Sequence, residues 1–552
     1  MDAPERCSVL IAGGGPCGLM LAIELARRGV RVLLVDDKPG TAFNPQANAT
    51  QARTMEHYRR LGFAEEIRAL GLPPDYPTDI AYFTRFTGHE LARFRLPSAQ
   101  EAQQRVTGLS GAWSAAELPH RVSQKYVERV LRRQAEEAGA TVRYGWRLTR
   151  FEDHKDHVEA RIEDAHGTAG RSIRADYLVG ADGPRSYVRS QLGIRYAGSS
   201  GIARDFMGGR MYALYLRSPS FYSVVTHAKA WMNVTYNRDR RAFMAAVDGK
   251  EEFAFHTQLR DGEDEGAISD ADARHLFERA AGKPIEAEIL SRCAWTAGHA
   301  LVAESFGRGR VFIAGDAAHL FTPAGGLGYN TAVEDAVNLG WKLAHVLQGL
   351  APPTLLESYE VERQALARRN TTYARQLADS LSYRPAPLEL EEDSPAGEAA
   401  RRQAGEHLNA HARREFNIPG ITFGGRYDSS PIIVPDGTTP PADALNHYEP
   451  TACPGGRPPH AWLPDGRSLY DSFGFDWTLL RLGPGPAEVE PFSRAAATAG
   501  LRLRVVSLPG QELRDLYERD LVLIRPDHMV AWRGNDAAAA EAVLARATGH
   551  RR

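Results

Sequence analysis

The sequence predicts an α/β protein of several domains, built around a parallel sheet. Three observations carry this reading. An apolar run at 8–12, a glycine loop, a helical stretch at 19–28 stopped by Gly29 and a second apolar run at 30–35 form a βαβ unit. Two later stretches, "YLVGADG" (177–183) and "RVFIAGDAAH" (310–319), repeat the pattern of a buried strand ending in a turn. Between them, from about 184 to 295, the text changes to β-rich, aromatic segments such as "RMYALYLRS" and "AWMNVTYNR". The change marks a second domain inserted into the first. At 552 residues the chain also exceeds one core, and about 150 residues per domain gives roughly three.

The remaining elements follow in order. Helices are expected at 51–60 and 122–140, the latter with Val127, Val130 and Leu131 on one face. The text at 72–97 is polar and proline-containing. A helix at 270–281 is the one helical piece of the insert. A long helix at 331–348 ends at Gly349 and Pro352-Pro353. Residues 381–424 mix helical pieces with the charged "PAPLELEEDSPAGE" and read partly as linker. From 425 to 552, four strand-like runs and intervening helices suffice for a third domain.

Composition narrows the function. A net charge of −2 provides no field for nucleic acid or an anionic membrane. Cys7, Cys17, Cys293 and Cys453 have neither zinc-ligand nor CxxC spacing, so neither a metal site nor a disulfide framework is expected. No run reaches the ~18 apolar residues of a membrane span. The N-terminus enters a strand at once, without the layout of a signal peptide. The expectation is a cytoplasmic protein.

"GGGPCG" sets Gly13, Gly15 and Gly18 as GxGxxG between strand and helix, with Pro16 within the loop. Such a loop brings backbone close to a pyrophosphate at a helix N-terminus. Asp36 stands where an acid binds ribose hydroxyls, and Asp37 is a solvated neighbour or shares that role. A second glycine stretch, "GDAAHLFTPAGGLGYN", spans 315–330. Its strand delivers Gly315 and Asp316 to a C-terminal end, where the carboxylate can accept from polyol hydroxyls. Pro323, Gly325, Gly326 and Gly328 let backbone lie against a flat ring. Thr331 and Glu334 fit a capping box that opens the long helix. The amides of Leu327 to Asn330 would then face that ring. His319 either faces the same ligand or fills the turn.

These motifs, "GGGPCGLMLAIELARRGVRVLLVD", "YLVGADGPRSYVR" and "GDAAHLFTPAGGLGYNTAVEDAVNLGWKLA", resemble in order and spacing the class A flavoprotein aromatic hydroxylases. The likeness is strongest to the phenol and dichlorophenol hydroxylase branch, which includes phenylpropionate hydroxylases and polyketide-tailoring oxygenases. It covers about 6–369 and is extended by "NATQARTMEHYRRLG" and "HRVSQKYVERVL".

The resemblance implies a Rossmann-like, glutathione-reductase-like FAD-binding domain assembled from 1–75, 98–183 and 296–380. A β-rich substrate domain would comprise 76–97 and 184–295, and a thioredoxin-like domain without CxxC would comprise 425–552. It implies FAD as cofactor, with NAD(P)H (NADPH favoured) and O2 as co-substrates. Gly13, Gly15, Pro16, Gly18, Asp36 and Asp37 would hold the ADP half. Gln46, Arg53 and Gln124 would contact the cofactor, although the bare sequence reads Arg53 and Gln124 as surface helix residues. Asp182 and Gly183 would serve beside FAD and the nicotinamide nucleotide, with Arg185 and Arg189 as anion contacts. Gly315, Asp316, Pro323, Gly326, Leu327, Gly328, Tyr329 and Asn330 would hold the ribityl and ring end.

The implied cycle reduces FAD with NAD(P)H and adds O2 at flavin C4a. The hydroperoxide then passes its distal oxygen to a phenolic ring, ortho to the hydroxyl. Water must be excluded and the phenol's proton must be managed. Related phenol hydroxylases place an aspartate where this chain has Asn48, which can orient a phenol but cannot take its proton. Relay and pocket candidates are Tyr212, Tyr215, Tyr222, His227 and Trp231, with Pro323 and Gly325 opposite; each also reads as core. Strand alternation puts Tyr212 and Tyr215 on opposite faces. No basic cluster marks a carboxylate substrate, which favours a neutral phenol or a polyketide-like ring.

The lone Cys453 disfavours thiol exchange in the third domain and leaves a structural or homodimer-stabilising role. No WxWxIP segment points to a halogenase, and no redox cysteine pair points to a disulfide reductase. A flavin-binding protein without turnover is the alternative of a different class.

Overall fold

The computed structural model describes residues 4–200, 209–382, 385–485 and 487–550. Five strands form a parallel core in the order Val311–Ile313, Gly170–Gly180, Glu5–Ala12, Val32–Asp36, Thr141–Tyr144. Val32–Asp36 is buried at every position. Continuous apolar runs belong in such sheets, because helices cover both faces. The first helix, Pro16–Ala26, starts earlier than the sequence suggests because proline suits the first helical turn. It packs on Gln124–Glu137 and on Leu327–Leu347.

The insert forms a seven-stranded sheet in the order Glu288–Ala297, Gly209–Arg217, Glu252–Gln258, Ala242–Ala246, Met232–Thr235, Ile80–Phe83, Glu90–Phe94. The last two strands come from the 72–97 text, and four buried residues, "IAYF", are enough to join the sheet. The helix Asp270–Ala281 forms as expected behind a Ser269–Asp272 capping box. Its Phe277 packs on Phe255 and Phe221, so Leu214, Leu216, Phe253 and Phe255 are buried beneath it. The opposite face carries Met211, Ala213, Tyr215, Met232, Phe243, His256 and Trp295. That face turns towards the parallel-sheet half. Ser291 bonds Asn44, Phe43 packs edge-on against Tyr215, and Lys125 reaches the Tyr215 hydroxyl.

The text read partly as linker holds a 22-residue helix, Pro395–Phe416. Gly405 lies so close to the Leu91 carbonyl that an added Cβ would sit 2.3 Å from its oxygen. The helix is therefore a packed wall at the Glu90–Phe94 end of the sheet. In the last region Trp477–Leu482 runs parallel to Leu503–Leu508 and antiparallel to Leu521–Ile524, which pairs antiparallel with Val530–Gly534. With helices Glu490–Thr498, Gln511–Tyr517 and Ala540–Ala547, this is the βαβαββα order of a thioredoxin-like sheet. Cys453 is a free, buried thiol outside it.

Candidate active site

Three turns meet at the C-terminal ends of neighbouring parallel strands, where open α/β sheets bind ligands. The Gly13 amide donates to the Val35 carbonyl (2.8 Å), that of Ala181 to Ala12 (2.7 Å) and that of Ala314 to Gly180 (3.0 Å). Gly13 has φ +113°, and a Cβ there would stand 2.1 Å from the Ala181 oxygen; one on Gly18 would stand 2.0 Å from the Gly13 oxygen. At Gly15 nothing lies within 4 Å, so the loop leaves open space beside its backbone. Asp36 accepts the Gly14 amide at 2.6 Å and the Lys38 amide at 2.8 Å, while Asp37 is exposed. Asp36 is thus fixed beside the opening.

The second glycine stretch differs from expectation in one respect. The helix is Leu327–Leu347, four residues longer at its start, and no side chain caps it. Gly325 (φ 72°) and Gly326 (φ 64°), both left-handed, turn the chain directly into it. Thr331 and Glu334 are therefore inside the helix, bonded to Asn370 and Arg363 rather than forming a capping box. The uncapped amides belong to Leu327, Gly328 and Tyr329, and they carry the positive end of the helix dipole.

Other predicted residues divide by side-chain direction. Asn330 clamps protein to protein: its oxygen accepts from the Gln51 amide (2.8 Å) and Thr54, and its nitrogen donates to Ala49 and Gly326. The Tyr329 hydroxyl pairs with Tyr58, so only its backbone is left for the site. Pro323 and Gln46 are exposed. Gln124 is half-buried and donates to Glu128 at 2.6 Å. Asp182 caps the short helix Tyr187–Gln191 through Ser186 and the Val188 amide, and burial pushes its carboxyl up. Gly183 turns beside it with φ 79°.

Asp316 is open to solvent on one side yet hemmed in by protein, and that desolvation pushes its carboxyl up. His319 fills the turn: fully buried, it meets Asp335 at 2.6 Å, and Asp335 also holds Arg363 and the Gly315 amide.

Arg53 is not brought to this crevice. Its guanidinium donates to the carbonyls of Asp527 and His528 at 2.9 Å and pairs with Glu56 at 3.2 Å. It lines a separate small polar pocket with Arg369, Arg457 and Asp527. Arg189 is likewise consumed by Tyr196, Pro184 and the Ala317 carbonyl, while Arg185 is exposed.

Of the insert's candidates, Tyr215 lies on the sheet face that meets Phe43 and Lys125 of the parallel-sheet half. Its hydroxyl joins Lys125 and Glu252, themselves 3.0 Å apart, and burial followed by the Glu252 bond pushes the phenol well up. Tyr212 lies on the helix-covered face, bonded by Arg292 at 3.2 Å. His227 belongs with that face too, its ring tilted 35° against Phe83 with centroids 4.9 Å apart and bonded to the Gly88 carbonyl. Tyr222 is tied to Tyr76 at 2.5 Å and packs on Phe253. Trp231 stacks on Arg121 (4.5 Å) and meets Phe416. Tyr222, His227 and Trp231 are held by packing, because the loops around 218–231 carry no periodicity that fixes a face in sequence, whereas the strand fixes the face of Tyr212. Asn48 is half-buried, and its side-chain oxygen is buried without a partner among the described residues.

Reasoning from sequence missed Lys125, Glu252, His256 and Glu415. The first stands next to Gln124 in "RVSQKY". Glu415 accepts the Gly325 amide at 2.9 Å. The alternation of "FAFHTQ" sets His256 opposite Phe253 and Phe255, so its face was readable.

A glycine cradle, an acid at its edge, a second acid under a crevice and an uncapped helix start at the far end suit a long cofactor with an ADP half and a flat, anionic half. The site is that of a flavin enzyme of the aromatic-hydroxylase type. The FAD binding domain family matches residues 6–374, and the aromatic-ring hydroxylase C-terminal family matches 451–550. Phenol 2-monooxygenase of Pseudomonas sp. (strain EST1001) is 30% identical over 98% of this chain and 92% of its own. Aklavinone 12-hydroxylase RdmE of Streptomyces purpurascens is 31% identical over 97% and 96%. The structure of the rebeccamycin biosynthetic enzyme RebC with reduced flavin has TM-score 0.88 and 36% identity, each chain covered to 100%. The chain belongs to the class A flavin-dependent aromatic hydroxylases: it is an FAD-dependent monooxygenase that uses NAD(P)H and O2. No helix among the described residues is long and apolar enough to cross a membrane.

Asp316→Ala should purify with markedly less bound flavin, read as the ratio of flavin to protein absorbance. A variant as yellow as the parent would remove Asp316 from the cofactor site.

Proposed function

We propose that the enzyme hydroxylates a phenolic ring of a planar, fused aromatic substrate, ortho to its hydroxyl. The substrate lies between the half-buried face of the seven-stranded sheet and the flavin. One observation carries the choice of a large ring system over simple phenol. Met232, Phe243, His256 and Trp295 are only half-buried and form a broad, flat face across neighbouring strands. Such a face suits stacking of an extended ring. The name of RdmE is consistent with this class, and that of phenol 2-monooxygenase shows that smaller phenols also occur among relatives.

When bound, FAD supplies the reducing equivalents taken from NAD(P)H and activates O2. The chain's own residues do the rest. Asp36 and the Gly13–Gly18 loop would hold the ADP half. Asp316 would accept hydrogen bonds from the ribityl hydroxyls. The amides of Leu327 to Tyr329 favour negative charge on the ring end. Asn48 offers its unpaired oxygen to the substrate hydroxyl, and Tyr215 links the half-buried face to Lys125 and Glu252 for proton movement. The wall formed by Pro395–Phe416 keeps water out at one end.

The test is NADPH consumption in air with a panel of mono-, bi- and tricyclic phenols. Consumption should rise with the tricyclic members, and mass spectrometry should find one added oxygen. If no ligand that binds stimulates turnover, this reading is wrong.

A further inference from the structure

We propose that His256 is the hydrogen-bond donor that seats an oxygen substituent of the flat aromatic substrate. The inference rests on the functional reading above and sharpens it by assigning a specific recognition contact. His256 lies on Glu252–Gln258, in register with Ala213 on one side and Phe243 on the other, on the face that carries Tyr215 two strand positions away. Its ring is nearly parallel to that of Phe243, with centroids 4.5 Å apart and planes 6° apart. Trp295 approaches edge-on at 5.8 Å and 85°.

These contacts fix the chemistry. The Trp295 indole N–H can only donate, and it meets His256 Nδ1 at 3.3 Å. Nδ1 is therefore the acceptor, and the imidazole proton stands on Nε2. Among the described residues none takes that proton, and the one hydrogen bond to His256 comes from Trp295. Burial lowers His256 to about 4, so the ring is neutral at working pH and keeps this tautomer. The result is a fixed N–H in a row of aromatic and thioether side chains. An aromatic system stacked along the row can satisfy it with a carbonyl, phenol or phenolate oxygen. A bare hydrocarbon of the same shape would leave it unpaired, which is how a site built to bond one oxygen discriminates.

The test uses the FAD-loaded enzyme and 1,8-dihydroxyanthraquinone, titrated by the change in flavin absorbance. His256→Phe keeps a flat ring against Phe243 and loses the donor. His256→Gln keeps an N–H near the Nε2 position and loses the aromatic ring. The expected result is a Kd about tenfold weaker for H256F and within about threefold of the parent for H256Q, the size of one hydrogen bond to a polar or charged oxygen. Flavin content should be unchanged in both. Equal affinity of H256F and the parent overturns the inference, as does a parent enzyme that does not bind the probe. If the probe binds with this pattern but no phenol stimulates NADPH oxidation, the hydroxylase reading fails and the assignment of His256 stands.

Discussion

Gly13→Ala is expected to give a colourless protein. The residue has φ +113°, and any Cβ there would lie 2.1 Å from the Ala181 oxygen and 2.4 Å from its carbonyl carbon. Both obstacles are backbone, so no side-chain movement relieves them. The left-handed strain alone costs about 1–2 kcal/mol. The larger effect is that the first glycine turn and the Ala181–Gly183 turn must separate, which opens the crevice where the ADP half would lie. Flavin occupancy should fall below about a tenth of the parent's, since 1.4 kcal/mol already costs tenfold in affinity. Gly15→Ala provides the contrast. Nothing lies within 4 Å of a Cβ there, so the protein should fold unchanged and lose affinity only through the space taken from the pyrophosphate. A fully yellow Gly13→Ala protein would show that the crevice tolerates the shift and that the cradle is not where the cofactor is held.

The parallel core and its three turns were legible because each is a continuous apolar run ending in glycine and acid, a pattern that two-sided burial imposes. The start of the Leu327–Leu347 helix was not. The sequence offers a capping-box pattern at Thr331 and Glu334, but two left-handed glycines had already begun the helix. The longer helix keeps the predicted amides at its N-terminus and changes only how they are presented. Arg53 illustrates a different limit. Its place on a helix was correct, but its partners lie at Asp527, His528 and Met529, and nothing local encodes a contact across 474 residues or more. The split of Tyr212 from Tyr215 was readable because strand period is a local property. The burial of His227, Tyr222 and Trp231 was not, since turns without a period determine it. The 381–424 region read partly as linker because its charges are local, whereas its packing on Glu90–Phe94 depends on small residues such as Gly405 meeting backbone.

Glu362→Ala should undock the thioredoxin-like region. Glu362 is fully buried and accepts from Arg525 at 2.6 and 2.9 Å, from Lys342 at 2.6 Å, from Asn338 at 2.6 Å and from Ser430 at 2.6 Å. Arg525 comes from the C-terminal sheet and Lys342 from the Leu327–Leu347 helix, so one carboxylate joins the two halves. Burial alone would push Glu362 up, but Arg525 and Lys342 outweigh it and hold the group below the usual carboxylate range. Burial lowers Lys342 to about 8. Removing the acid leaves two buried cations with one fewer partner each. Breaking such a pair from one side costs about 3–5 kcal/mol. Thermal unfolding should therefore show a new, earlier transition for the C-terminal region, with faster proteolysis between 425 and 480. Because the folded-state pKa of Glu362 is depressed, its contribution is complete above the unfolded value of about 4.3. It is lost as pH falls through the folded value, so the parent should approach the variant in acid. The variant Glu362→Gln separates charge from packing, because it keeps the side chain's shape and an acceptor oxygen but removes the negative charge. A transition in Glu362→Gln as early as in Glu362→Ala would place the cost in unpaired charge, and no loss in Glu362→Ala would show that docking rests on the apolar contacts around Trp341 and Trp477 instead.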